Sequence, residues 1–205
     1  MDEALRSLCR GWLACAALPP RLPIWHLRPA LEDLKCGAFR DGVEYGACLA
    51  MDGGDLTLVH QVRGTAIEVA PLCSLRQAPH QNYIGFVHVH LPVPGVGPYV
   101  GFSERDFRAA AADGANLSLV TNGDEMFALA RATDCTAPAQ VISGAEFQDW
   151  EDKYMAALAG MPASIDRALW RVNRDLCRRL GFAFYRGRWG EPLTLFYTPE
   201  PVGTA

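Results

Sequence analysis

The chain has 205 residues, half of them hydrophobic, and a formal net charge of −4. That is enough apolar side chain for an ordinary buried core, and the acidic balance (pI near 5.7) leaves no electrostatic footprint for nucleic acid. No stretch approaches the roughly 18 uninterrupted apolar residues of a membrane span, so partners are expected among proteins and small molecules, with neither nucleic acid nor membrane involved.

Cysteine usage points to a compartment. Cys9, Cys15, Cys36, Cys48, Cys73, Cys135 and Cys177 are odd in number, scattered, and contain no Cys-x-x-Cys pair. This pattern fits reduced thiols in the cytoplasm. The start, Met1 to Leu18, with its apolar run from Trp12, lacks the charge layout of a signal peptide, because Asp2, Glu3 and an interrupting Arg10 spoil it. Lys35 and Lys153 are the only lysines among 19 basic residues, a bias that GC-rich bacterial genomes produce.

In chain order, Leu5, Leu8, Trp12, Cys15 and Ala16 recur at helical steps, which predicts a helix over 2–17 ended by Pro19 and Pro20. A second helix is expected over 30–39, closed by Asp41-Gly42. Residues 1–40 thus form a helical leader, expected to dock on the chain's own core. From Val43 the period becomes two: a strand from Glu44 to Ala50, turn chemistry in Asp52-Gly53-Gly54-Asp55, a return strand over 56–62 and a short strand over 67–69. The central strand is expected over 83–90, then a helix over 103–113, and strands over 117–121 and 126–131. Beyond Pro138 come helices over 146–158 and 164–180 and a terminal hairpin, 182–185 with 192–197. The fold class is α/β (α+β), a mixed sheet with flanking helices, divided into the leader, a core over 41–137 and a C-terminal helix-and-hairpin extension over 138–205.

The chemistry concentrates between His88 and Asp106. His88-Val89-His90 ends the central strand, and Ser103-Glu104-Arg105-Asp106 opens the next helix. Alternation along a strand puts both imidazoles on one face, about 7 Å apart along the chain, with Val89 turned into apolar packing. Two imidazoles and a carboxylate make a three-ligand zinc site of the kind that leaves its fourth position open. Taken alone, Ser-x-x-Asp reads more readily as a helix N-cap. A hydrolase also needs a base, and Glu44 is the leading candidate, because an acid opening an apolar strand is costly without a role. Glu68 is second. Cys48 and Cys177 sit on apolar faces and read as core. His26, His60 and His80 read as ordinary polar residues, with His80 near enough in sequence for a supporting part. Arg171, Arg174 and Arg178 read as a solvated face.

The ordered set formed by Glu44-Tyr45-Gly46-Ala47-Cys48-Leu49, Ile84-Gly85-Phe86-Val87-His88-Val89-His90 and Ser103-Glu104-Arg105-Asp106 resembles the JAMM (JAB1/MPN+) metalloprotease family over roughly residues 41 to 135. The resemblance implies an MPN-like fold and a Zn2+ cofactor held by His88, His90 and Asp106. It makes Glu44 the general acid/base and Ser103 a group that helps hold the oxyanion. It further implies hydrolysis after the C-terminal glycine of a ubiquitin-like protein, in deconjugation or precursor processing. Bacterial relatives accompany E1- and E2-like enzymes, some in antiviral defence, so such enzymes are implied partners. Two features depart from the family pattern. The segment Leu91 to Phe102 is longer than usual, and Val89 stands where Ser is common. Two other readings stand beside this one: a non-catalytic MPN-like scaffold, and a JAMM hydrolase acting on a short peptide or a sulfur-carrier adduct.

Overall fold

In the computed structural model, which describes residues 3–11, 13–66, 69, 82–92, 100–134, 143–158 and 162–200, the strands line up in one mixed sheet. The elements are α1 (Glu3–Arg10), β1 (Arg21–Leu22), α2 (Arg28–Asp41), β2 (Tyr45–Asp52), β3 (Asp55–Arg63), β4 (Asn82–Val89), α3 (Glu104–Asp113), β5 (Leu117–Thr121), β6 (Glu125–Arg131), α4 (Gly144–Leu158), α5 (Pro162–Leu180), β7 (Phe182–Arg188) and β8 (Leu193–Tyr197). The strand order is β1-β8-β7-β6-β5-β4-β2-β3. Among the strands of the described residues only β4 and β5 pair in parallel, and α3 is the crossover between them, as a parallel pair requires. The expected α+β class with a mixed sheet is what the chain adopts.

Sequence chemistry explains the element ends. Pro29 sits in the first turn of α2, where its missing N–H costs nothing. Gly42 and Gly114 close α2 and α3 in the left-handed conformation that glycine adopts without a Cβ penalty. The first helix is shorter than its periodicity predicts. It stops at Arg10, before Gly11, and the chain then runs beside the sheet, with Leu13 bridging Ala132. Residues 21 and 22, between the two expected helices, form β1 against β8. Of the strand expected over 67–69, residues 67 and 68 lie outside the described residues.

The sheet is covered on both faces. On one face the leader buries Leu5, Leu8, Leu31 and Leu34 against Ala47, Leu49, Val87, Val89, Leu117 and Leu119. The leader is tied down by polar contacts as well: Tyr185 Oη donates to the Pro19 carbonyl (2.9 Å) and Trp189 Nε1 to Glu32 (2.9 Å). On the other face α3, α4 and α5 pack over Phe86, Val120, Phe127, Leu129, Phe182 and Phe184. Alternation thus sends Val87 and Val89 to the leader side, and Phe86, His88 and His90 to the α3 side. Close strand approach depends on Gly85, where an added Cβ would lie 1.8 Å from the Leu117 carbonyl oxygen.

Cys9, Cys36, Cys48 and Cys177 are free thiols. Cys15 is disulfide-bonded, so the expectation of reduced thiols throughout fails there. Cys48 and Cys177 are buried core residues, as their apolar settings suggested. Among the described residues no helix is long and apolar enough to cross a membrane.

Candidate metal centre

Three strands and one helix converge at the end of β4. His90 follows the last ladder residue, yet its N–H still donates to the Thr121 carbonyl (2.8 Å), so both histidines stand on ordered backbone. Both are buried, at 6% and 4% exposure. Their Nε2 atoms lie 2.8 Å apart. Asp106, in the first turn of α3, places Oδ1 3.1 Å from His88 Nε2 and Oδ2 3.4 Å from His90 Nε2. In tetrahedral zinc sites with bonds of about 2.0–2.1 Å, ligand atoms stand about 3.3 Å apart. The three separations bracket that value, and the donor set of two nitrogens and one carboxylate oxygen suits zinc. The chain therefore holds a buried group able to bind a metal ion.

Ser103 explains how Asp106 is aimed. Its backbone N–H and its hydroxyl both donate to Asp106 Oδ2 (2.7 and 2.8 Å), while the Asp106 N–H donates back to Ser103 Oγ (3.3 Å). This is a capping box on α3, worth about 1 kcal/mol to the helix. The N-cap reading of Ser-x-x-Asp holds, and its geometry leaves the carboxylate where a metal-ligand reading needs it. The same carboxylate caps the helix and faces the histidines, and the positive end of α3 favours its charge.

Glu44 is half-buried just ahead of β2. Its N–H donates to the Thr65 carbonyl (2.7 Å), and its carbonyl accepts from the Gly64 N–H (2.8 Å). Gly46 pairs with His88, so two residues back along the same register Glu44 falls opposite His90, on the histidine face. Gly46 keeps that face open, since an added Cβ would lie 3.4 Å from His88 Cβ and 2.9 Å from Val69 Cγ1. Glu44 is also close enough for its charge to act on His88. Glu68, His80 and residues 93–99 lie outside the described residues. His60 is exposed, and His26 is held below the ordinary histidine value mainly by burial. Arg171, Arg174 and Arg178 are exposed on α5.

The sequence matches no family model and no curated protein.

Electrostatics distinguish the two imidazoles. Burial disfavours charge on both; at His88 the Asp106 carboxylate, with help from Glu44, outweighs that and raises the pKa, whereas at His90 burial prevails and lowers it. Burial alone would raise Asp106, but His88 and His90 hold it well below the usual carboxylate range. Metal binding needs neutral imidazoles and an ionised carboxylate. The raised His88 makes protons competitive with metal at a higher pH than at an ordinary histidine. The affinity expected for a metal ion is therefore full in alkaline solution and falls as pH drops through the raised His88 value, with weakening already under way above 6.5, the unshifted value. Competition against a chromophoric chelator across neutral pH measures this, and a flat profile contradicts it. In the metal-free chain the sign reverses: the stability from the charged His88–Asp106 pair is present below the unfolded histidine value and fades as pH rises through the folded one.

One buried polar residue near the site is absent from the sequence expectations: Asn173, on α5, is only 1% exposed. Asn173 carried a readable signal, since it falls between Leu169 and Leu176 at helical spacing and so interrupts an apolar stripe with an amide.

Proposed function

We propose that the chain is a zinc-dependent hydrolase that cuts the bond after the C-terminal glycine of a ubiquitin-like protein, in conjugates or precursors. The observation that carries this reading is the convergence of His88, His90 and Asp106 on one point with Glu44 held on the same face beside them. The resemblance of the Glu, His-x-His and Ser-x-x-Asp set to the JAMM family supplies the substrate class. His88, His90 and Asp106 would hold the zinc. When bound, zinc supplies Lewis-acid activation of water and of the scissile carbonyl.

The chain's own groups do the rest. Glu44 takes the proton of the attacking water and passes it to the leaving amine, a general acid/base role that suits a half-buried carboxylate on fixed backbone. Ser103 keeps Asp106 oriented through its N–H and hydroxyl. For that hydroxyl to reach an oxyanion it must turn away from Asp106, and the oxyanion role is proposed for Ser103 on that condition. We propose the cytoplasm as the site of action, with E1- and E2-like enzymes as partners. Four free thiols support a reducing compartment, and the Cys15 disulfide runs against it.

The test is a panel of ubiquitin-like fusions and isopeptide conjugates offered to the zinc-loaded chain, with products read by intact mass. The expected product ends at the ubiquitin-like C-terminal glycine. Cleavage only of short peptides or of sulfur-carrier adducts contradicts the substrate assignment.

A further inference from the structure

We propose that Asn173 is a positioning residue for the metal centre, through which α5 of the C-terminal segment sets the geometry of Ser103 and Asp106. The proposal rests on the reading of His88, His90 and Asp106 as metal ligands and adds a residue from outside that motif. Asn173 Oδ1 accepts from the Phe102 N–H (2.9 Å), and Nδ2 donates to the Phe102 carbonyl (3.1 Å) and to the Leu169 carbonyl (3.1 Å). One amide therefore grips both polar groups of a single backbone residue and anchors itself to its own helix. An N–H on one side and two carbonyls on the other leave no ambiguity about which way the amide points.

The position of that grip matters more than its strength. Phe102 immediately precedes Ser103, whose N–H and hydroxyl both aim Asp106. The Phe102 side chain is already fixed, fully buried with its ring 5.9 Å from Phe107 and 6.2 Å from Phe184. Holding that ring needs no amide; fixing the backbone rotation that leads into Ser103 does. Gly101 shows how closely the two segments approach. It has φ +79°, and an added Cβ would lie 2.7 Å from Asn173 Oδ1. Partners of metal ligands fix ligand orientation, and losing one typically costs about 10–100-fold in metal affinity or activity.

The experiment measures zinc affinity by chelator competition in the full chain and three variants. Asn173→Leu removes the grip and keeps the branched, four-heavy-atom outline of the side chain. Gly101→Ala disturbs it from the loop side with α5 intact, which keeps the test valid if the first variant folds poorly. Leu176→Ala cuts a fully buried side chain from the same helix and leaves the Asn173 amide and its backbone partners in place. Asn173→Leu and Gly101→Ala are expected to weaken zinc binding about 10–100-fold, while Leu176→Ala lowers the melting temperature and leaves zinc affinity unchanged. Wild-type affinity in the first two, or an equal loss in Leu176→Ala, overturns the proposal and leaves the metal reading standing. A wild-type chain that takes up no zinc overturns both, and one that binds zinc but cuts no ubiquitin-like substrate overturns only the isopeptidase reading.

Discussion

Glu44→Gln is expected to slow the proposed hydrolysis sharply and to leave metal binding intact. Glutamine keeps the size and the backbone contacts of Glu44 with Gly64 and Thr65, and it removes the ability to take and return a proton, together with the charge that acts on His88. General acid/base groups contribute about 10²–10⁴-fold to rate, so turnover should fall on the order of 10³-fold. KM should change little, since Glu44 is assigned to the transition state and not to substrate binding. The metal content of the variant, measured beside its rate, separates the two roles. Turnover equal to wild type removes Glu44 from the mechanism, and loss of zinc makes it a ligand.

The second large effect is at Asp106, where metal binding and helix capping can be pulled apart. Asp106→Asn retains an oxygen to accept the Ser103 N–H, so the cap of α3 survives, but a neutral amide is a poor zinc ligand. Asp106→Ala loses the ligand and the carboxylate half of the capping box, while its backbone N–H still donates to Ser103 Oγ. Each variant is expected to lose stoichiometric zinc. Measured without metal, only Asp106→Ala should also lose the hydrogen bonds from Ser103 to the carboxylate, about 1 kcal/mol, or roughly 2–4 °C in melting temperature for a chain of this size. Both variants also lose the charge that stabilises protonated His88. Without it the His88 pKa falls toward the value that burial alone dictates, and histidine titration followed by NMR reads that directly. Full zinc occupancy in Asp106→Asn would show that the two histidines recruit their third ligand elsewhere.

Much of this site was legible because its chemistry is local in sequence. His88 and His90 share a face by strand alternation alone, and Ser103 and Asp106 meet by helix capping alone. The sheet ends were also legible: the Asp52-Gly53-Gly54-Asp55 turn and the glycines after α2, α3 and α5 punctuate the chain where the elements stop. What escaped depends on tertiary contact. The two residues of β1 carry no periodicity and become a strand only because β8 offers an edge. The helix over 2–17 looked continuous because helical spacing persists past Gly11, yet the chain beyond it gains more by pairing Leu13 with Ala132. Asn173 broke an apolar stripe in plain view, but its partner lies 71 residues away, and no spacing rule reaches that far.

The most direct test of the central claim is the metal content of the purified chain, by mass spectrometry after dialysis against a weak chelator. The expected result is about one zinc per chain, lost when His88 and His90 are both replaced by alanine. A wild-type chain without bound metal, or zinc that survives the double replacement, contradicts it.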